Sequence, residues 1–369
     1  MARIAVAMSG GVDSSVAAAL LVGAGHEVVG FTLNLWPTWA APSGEGRGCC
    51  GLGAVEDARS VARTLGIRHY VLNLREEFER EVIRDFAREY ARGRTPNPCV
   101  ACNRSIKFSL LLQRVRGLGM DLLATGHYAR VARHPSGRVR LLRGADRHKD
   151  QSYVLACLTQ EQLASVCFPV GSYTKATVRE LARRWGLPVA GKPDSQEICF
   201  VPAGGYADVV ARYAPEALRP GPIYDLETGE QLGSHQGIAR YTVGQRRGLG
   251  IRGQRPRYVV AVDAARNAVL VGDERAVHCT ELVASELNWI AVPELRGPRQ
   301  VTARIRHAAP DVPAIITPAG EGRLLVRFPQ PPRAPAPGQA VAFYDGDVVL
   351  GGGVVAEVRC GKEDARCRS

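Results

Sequence analysis

An apolar run at residues 3–8 (RIAVAM) stops at Ser9-Gly10-Gly11-Val12-Asp13-Ser14, and a helix-forming stretch over 12–22 begins inside that hexapeptide. This junction constrains the fold more than any other feature. Two glycines let the chain turn tightly at the end of a buried strand, and the helix that follows turns its unpaired amides toward the turn. Ser9, Ser14 and Ser15 add hydroxyl donors, so the junction suits a phosphate or pyrophosphate. Two glycines alone read as a turn with Asp13 as a helix-terminal acid; the full hexapeptide after a strand is more specific. No G-x-x-x-x-G-K-[ST] segment occurs, so the usual loop for γ-phosphate transfer is absent.

The alternation continues from there. Strands are predicted at 26–33, 68–72 and 121–124, and helices at 54–65, 76–90 and 103–115, which argues for a parallel sheet flanked by helices. Residues 36–53, rich in Gly, Pro and Cys and including Cys49 and Cys50, read as a long loop. Beyond a helix at 174–185 the helical signal fades. Short β-rich pieces follow at 258–262, 269–271, 301–306, 323–328 and 340–344, separated by Gly/Pro turns, with a Pro-rich loop at 329–337. The domains expected are 1–200, an open α/β unit; 201–275, a small β-rich connecting domain; and 276–369, a β-barrel.

Composition narrows the partners. Lys and Arg number 48 against 36 Asp and Glu, a formal charge of +12. Residues 92–149 carry thirteen of these cations against Asp121 and Asp146, a net +11 in one stretch. A solvated face usually mixes its signs, so a phosphate-rich macromolecule is the partner expected. No apolar run reaches the ~18–20 residues of a membrane span, and the N-terminus reads as a strand rather than a signal peptide, so a cytoplasmic protein is expected.

The 10 cysteines are too sparse for a disulfide scaffold. Cys157, Cys167 and Cys279 sit among apolar residues and read as buried. Cys99 and Cys102, in Asn97-Pro98-Cys99-Val100-Ala101-Cys102-Asn103, and Cys199, in DSQEICF, sit among polar residues and read as reactive. One C-x-x-C plus a distant Cys is an incomplete structural zinc set unless Cys49 or Cys50 supplies a fourth ligand.

The hexapeptide resembles the pyrophosphate loop of the ATP-pyrophosphatase superfamily. With it, NPCVACNRSIKF, ATGHYAR (124–130), KDQSYVL (149–155), KPDSQEICF (192–200), YTVGQRRGLG (241–250) and PGQAVAFYDGDVVLGGG (337–353) occur in order over nearly the whole chain. Together they resemble the bacterial tRNA-specific 2-thiouridylases. The resemblance implies a parallel-sheet, adenine nucleotide hydrolase-like domain, then a central β-rich domain and a C-terminal β-barrel. It implies ATP-dependent replacement of oxygen by sulfur at C2 of the wobble uridine, position 34, in tRNAs for Lys, Glu and Gln. By position, Ala7, Met8, Ser9, Gly10, Gly11, Val12, Asp13, Ser14, Leu33 and Gly126 would contact ATP, with Asp13 helping to place Mg²⁺. Cys102 would be the nucleophile and Cys199 the persulfide carrier, the two forming a transient disulfide. Asn97, Pro98 and Cys99 would face the target base. His127, Lys149, Asp150 and Gln151, with Arg306, His307 and Gln339 of the barrel, would touch tRNA along its anticodon arm. A cysteine desulfurase or sulfur-relay protein would be the donor.

Cys99 departs from the pattern, since some members carry Asp there. Cys99, Cys102 and Cys199 would suffice for a three-cysteine [4Fe–4S] site, but Cys102 and Cys199 alone suffice for a persulfide relay, which is the expectation here. Two other readings are a superfamily ligase acting on a small metabolite and an RNA-binding protein with an inactive nucleotide fold. Neither needs the polar-context cysteines together with an intact SGGVDS.

Overall fold

The computed structural model describes residues 1–37, 39, 52–194, 198–201, 205–251 and 255–359. Most of the loop expected over 36–53, with Cys49 and Cys50, lies outside them. Packing divides the chain into two compact units. The first comprises Met1–Val82, Cys99–Val201 and Asp347–Val349; the second comprises Ile83–Pro98, Pro202–Gly346 and the chain from Leu350 onward.

The first unit is built on five parallel strands. In chain order its strands are β1 (Arg3–Ala7), β2 (Glu27–Asn34), β3 (Arg68–Asn73), β4 (Leu122–Thr125), an antiparallel hairpin of β5 (Ala129–Arg133) and β6 (Val139–Arg143), and β7 (Val166–Cys167). The sheet order is β3-β2-β1-β4-β7. Strands buried on both faces read as near-continuous apolar runs, which is why RIAVA and EVVGFTLN were legible. Helix α1 (Val12–Gly23) follows β1, and its small residues Ala17 and Ala18, fully buried, let it lie close against Ile4, Val6 and Val28. Helix α2 (Leu52–Leu65) adds Ala58 and Val61 to the same core. The chain leaves β1 toward β2 on one side and β4 lies on the other. The carboxyl ends of β1 and β4 therefore flank the switch point where open α/β sheets bind ligands.

The β5–β6 hairpin was not expected. Its signal was present: Val131, Val139 and Leu141 alternate with arginines around a Pro135-Ser136-Gly137 turn.

In the second unit β8 (Gly221–Asp225), β9 (Gln231–His235), β10 (Tyr258–Asp263) and β11 (Ala268–Gly272) form a mixed sheet in the order β10-β11-β8-β9. Then β12 (Glu281–Trp289), β13 (Arg299–Arg304), β14 (Val312–Pro318), β15 (Leu324–Arg327), β16 (Ala340–Asp345) and β17 (Val348–Arg359) form a barrel, closed by pairing of β12 with β17. Leu282, Ile316, Val326 and Phe343 fill it. A helix at Tyr206–Tyr213 stands where the helical signal was read as fading.

The helix expected at 76–90 is real but serves both units. Its turns Arg75–Phe78, Glu79–Ile83 and Arg84–Ala91 run on through a π-helical step. Residues 83–98 pack with the second unit, not with the 1–200 domain to which the sequence assigned them. The physical reason is aromatic: Tyr206 stacks on Tyr90 at 4.7 Å and meets Phe86 edge-on at 6.4 Å, and the Thr95 amide donates to the Pro337 carbonyl at 2.7 Å. Among the described residues no helix is long and apolar enough to cross a membrane.

Candidate active site

The Ser9–Ser14 loop leaves β1 as the sequence requires. Gly10 has φ +66°, and a Cβ there would lie 2.3 Å from the Ala54 carbonyl of α2, so both backbone conformation and space demand glycine. Ser14 Oγ accepts from the Ser9 amide at 3.2 Å and lies 3.3 Å from Ser9 Oγ, while Ser15 Oγ donates to the Gly11 carbonyl at 2.8 Å. These bonds hold the loop while Gly11 caps α1 with no side chain of its own. The first amides of α1 therefore remain available to an anion. Gly126, at the end of β4, approaches so closely that a Cβ would meet the Ser14 amide at 2.5 Å. Leu33 lies near the end of β2 with its side chain buried.

The sequence reading missed the cations beside this loop. Lys175, first residue of the helix Lys175–Arg184, donates to both oxygens of Asp13, at 2.7 and 2.9 Å, and lies 2.8 Å from Asp194. Tyr128 donates its hydroxyl to Asp13 at 2.7 Å; burial, and then the Asp13 charge, push that phenol far up from its ordinary value. Lys149 holds the other oxygen of Asp194 at 2.8 Å, and Arg179 joins at 2.9 Å. Burial acts to raise the Asp194 carboxyl, but its bonds to Lys149 and Lys175 outweigh it and bring it down to about 2. Lys192 donates to the Gly10 carbonyl at 3.1 Å and pairs with Asp57. Lys175 stands in no recognisable motif, which is why spacing could not flag it. Its helix is capped by Thr174, which accepts from the Thr177 amide.

Cys102 opens a π-helical segment, Cys102–Leu111, and is 8% exposed. Such segments recur at functional sites. The next residue, Asn103, is buried and donates to the Val154 carbonyl at 3.0 Å, fixing the head of the segment. Cys99 is exposed, and the disulfide expected between Cys102 and Cys199 is not formed here. Phe200, beside Cys199, packs edge-on against Phe78 at 5.7 Å, and the turn carrying Phe78 packs on the Cys102 segment. Burial pushes Cys157 up to about 12 and Cys167 up to about 11, so neither forms a thiolate readily, as their apolar sequence surroundings suggested.

The metal expectations divide. Among the described residues, which include Cys99, Cys102 and Cys199, no three His, Cys, Asp or Glu side chains converge as a metal site. The three sulfurs are not gathered as a cluster requires. A nucleotide-borne Mg²⁺ needs only one or two protein carboxylates, and Asp13 supplies a hard oxygen donor once Lys175 yields one of its oxygens.

Several residues expected to touch tRNA are occupied internally. Asp150 is buried; it accepts from the Gly144 amide at 3.0 Å, the Ser152 hydroxyl at 2.9 Å and buried Arg143 at 3.3 Å. Its carboxylate is taken up within the chain and braces the fold. Gln151 accepts from the Tyr128 amide at 3.0 Å and so supports the tyrosine that holds Asp13. His127 packs between Phe108 and Phe168 and lies 2.6 Å from Thr125 Oγ1; burial, then nearby Lys107, hold it well below the usual imidazole range. It is a neutral, largely enclosed imidazole. In the second unit Arg306 donates to the Val243 carbonyl at 2.9 Å, His307 is exposed, and Gln339 receives the Val355 amide on its own carbonyl at 2.8 Å. Asn97 is half-buried and Pro98 buried.

The +11 stretch is also less free than its composition implied. Arg92 and Arg94 pair with Glu89, Arg114 with Glu77, Arg116 with Glu161, Arg130 and Arg147 with Asp347, and Arg143 with Asp150. Carboxylates just outside the counted stretch, Glu89 and Asp150, and others distant in sequence, Glu77, Glu161 and Asp347, supply the balance that the local count lacked.

Family models match the chain in succession: the tRNA methyl transferase HUP domain over residues 2–203, the tRNA methyl transferase PRC-barrel domain over 207–273, and the aminomethyltransferase beta-barrel domain over 279–355. The protein named tRNA-specific 2-thiouridylase MnmA in Symbiobacterium thermophilum is 54% identical over 360 residues, covering 96% of this chain and 92% of that one. Its namesake in Moorella thermoacetica is 54% identical over 354 residues, covering 96% and 99%. The chain belongs to the tRNA-specific 2-thiouridylase family. The expected order of a parallel-sheet domain, a small β-rich domain and a C-terminal barrel holds, and so does the expectation of an ATP-using sulfurtransferase for tRNA. Solved structures are only distantly similar: a 4-thiouridine synthetase–RNA complex with bound ATP has a TM-score of 0.36 at 18% identity, over 58% of this chain and 51% of that one.

Proposed function

We propose that this enzyme thiolates C2 of the wobble uridine, position 34, in tRNAs for Lys, Glu and Gln, by adenylating the base and delivering sulfur from a Cys199 persulfide. The observation that supports the reading is that Cys102 and Cys199, in polar sequence surroundings and not joined by a disulfide, share one folded unit with the Ser9–Ser14 loop.

The uridine O2 attacks the α-phosphate of ATP, and pyrophosphate leaves into the Ser9–Ser14 loop, with Asp13 steadying the nucleotide's Mg²⁺. This converts a poor leaving oxygen into AMP. The terminal sulfur of the Cys199 persulfide attacks C2, AMP departs, and the base is joined to Cys199 through a disulfide. The Cys102 thiolate then attacks the Cys199 sulfur. The thiolated base is released, a Cys102–Cys199 disulfide is left, and an external dithiol supplies the two electrons that reset the pair. A cysteine desulfurase or a sulfur-relay protein reloads Cys199. An anticodon loop is already unpaired, so presenting the base costs only a few kcal/mol.

The test is nucleoside analysis of tRNA incubated with the enzyme, ATP and a persulfide donor. Wild type is expected to form 2-thiouridine derivatives, and Cys102→Ser and Cys199→Ser to form none while still releasing pyrophosphate in a tRNA-dependent single turnover. Normal thiolation by Cys199→Ser from a protein persulfide would refute the relay.

A further inference from the structure

Strand β1 ends where the Ser9–Ser14 loop begins, and the last carbonyl before the loop is held by a side chain rather than by a neighbouring strand. Pairing of β1 with β2 stops at Ala7 and Phe31, where the Met8 amide donates to the Phe31 carbonyl at 2.8 Å, while β2 runs on beside β3 as far as Asn34 and Asn73. The Met8 carbonyl accepts instead from the hydroxyl of Thr32, a fully buried residue of β2, at 2.8 Å. Thr32 Oγ1 also lies 2.8 Å from Nε2 of His69 on β3. A hydroxyl carries one hydrogen and a carbonyl can only accept, so that hydrogen goes to Met8 and His69 donates from Nε2. Burial, and then the Arg59 charge, lower the imidazole from its ordinary value, so at neutral pH its one ring proton sits on Nε2. Gly30 makes room for the arrangement: a Cβ there would lie 3.1 Å from the His69 ring and 2.5 Å from Met8 Sδ.

The Met8 carbonyl and the Ser9 amide belong to one rigid peptide plane, so fixing the first aims the second. The Ser9 amide donates to Ser14 Oγ at 3.2 Å, and Ser14 Oγ donates in turn to the Gly11 carbonyl at 3.2 Å. A line of hydrogen bonds and one peptide plane therefore runs from β3 through β2 to the loop and the first turn of α1. Thr32 alone would satisfy the buried Met8 carbonyl. What His69 adds is direction, because its N–H occupies the hydroxyl oxygen and turns the hydroxyl hydrogen toward Met8. We propose that His69 is a positioning residue for nucleotide binding: through Thr32 it locks the Met8–Ser9 peptide, and with it the loop, in the orientation that receives phosphate. The inference rests on the Ser9–Ser14 loop receiving the nucleotide.

The experiment measures binding of a non-hydrolysable ATP analogue with Mg²⁺ to full-length protein by calorimetry, with the urea midpoint and tRNA affinity followed in parallel. His69→Phe keeps a ring across Gly30 but removes the donor; it is expected to weaken the analogue at least fivefold, with tRNA affinity within twofold of wild type. His69→Gln returns an N–H at the same reach and should restore analogue affinity to within twofold. Val28→Ala separates positioning from stability, because Val28 packs in the core of the same sheet and takes no part in the hydrogen-bond line. It should lower the urea midpoint and leave analogue affinity unchanged. Wild-type analogue affinity in His69→Phe overturns the proposal. So does an equal loss in His69→Phe and His69→Gln, or a loss in Val28→Ala that matches His69→Phe. Failure of wild type to bind the analogue at all would instead overturn the assignment of the loop, and the role of His69 with it.

Discussion

The Ser9–Ser14 loop and the Lys149–Ser152 segment are both short polar runs next to regular structure, and the fold uses them in opposite ways. In the loop, side chains bond to the loop's own backbone, Ser9 with Ser14 and Ser15 with Gly11, leaving the helix-terminal amides for a ligand. In the Lys149–Ser152 segment the side chains face inward: Lys149 to Asp194, Asp150 to Gly144 and Arg143, Gln151 to Tyr128. Polarity in a motif therefore does not say whether it serves a ligand or the fold. What separates the two is the backbone donors: Gly11 caps α1 with no side chain, so the loop leaves its helix-terminal amides for a ligand even though distant Lys175, Tyr128 and Lys192 answer its acceptors.

Substitutions can break this contrast. The largest effect is expected for Asp13→Ala, which removes the loop's carboxylate and strands Lys175: tRNA-dependent pyrophosphate release should fall by about 10²–10³-fold or more, the scale of losing an electrostatic contact to developing charge. Unaltered pyrophosphate release would place the loop with the structural segment.

Asp150→Ala should act on stability instead. It leaves buried Arg143 without its carboxylate, a change that costs about 3–5 kcal/mol in comparable buried pairs. Urea denaturation is expected to show that loss, while nucleotide affinity of the folded fraction stays near wild type. A stable Asp150→Ala protein with weakened tRNA binding would return Asp150 to the tRNA surface.

Acid sharpens the same division at Asp194. Its carboxyl is held at about 2, below the usual ~3.9, so the folded state binds fewer protons and is favoured above the higher value. That contribution is complete above about pH 4 and is lost as pH falls through about 2. Because the side chain is 22% exposed, screening reduces it to about 1–2 kcal/mol. Unfolding followed from pH 5 to pH 2 should show a smaller decline in Asp194→Asn than in wild type, and identical slopes would discount the cation cluster.

The smallest effect concerns the basic stretch. Arg133 is exposed, whereas Arg130 is tied to Asp347 at 2.9 Å and to the Arg143 carbonyl at 2.8 Å. If Arg133 meets a phosphate, Arg133→Ala should lower the salt slope of tRNA binding by about 0.7–0.9. Arg130→Ala should lower it less, since its charge is already balanced. Equal effects would mean that pairing within the protein does not withhold arginines from RNA.

How far the sequence alone could carry this protein follows from what each feature depends on. The β1–loop–α1 junction was legible because its causes are local: apolar residues at strand spacing, a glycine that must adopt positive φ, and a helix-forming run. The barrel strands were legible in outline for the same reason, and the roles of Cys157 and Cys167 because apolar neighbours in sequence remained neighbours in space. The residues that brace the site were not. Lys175 meets Asp13 across 162 positions and Asp347 meets Arg130 across 217, and no period or motif encodes a contact between side chains that only the closed sheet brings together. The same limit moved residues 83–98 into the second unit, because Tyr206, not the helix itself, determines where Phe86 and Tyr90 are buried. The chain thus determined by itself where the backbone turns and which faces are apolar. Tertiary structure decided which charges are spent on the fold and which are left for a partner, since that depends on the distance between groups the sequence holds far apart.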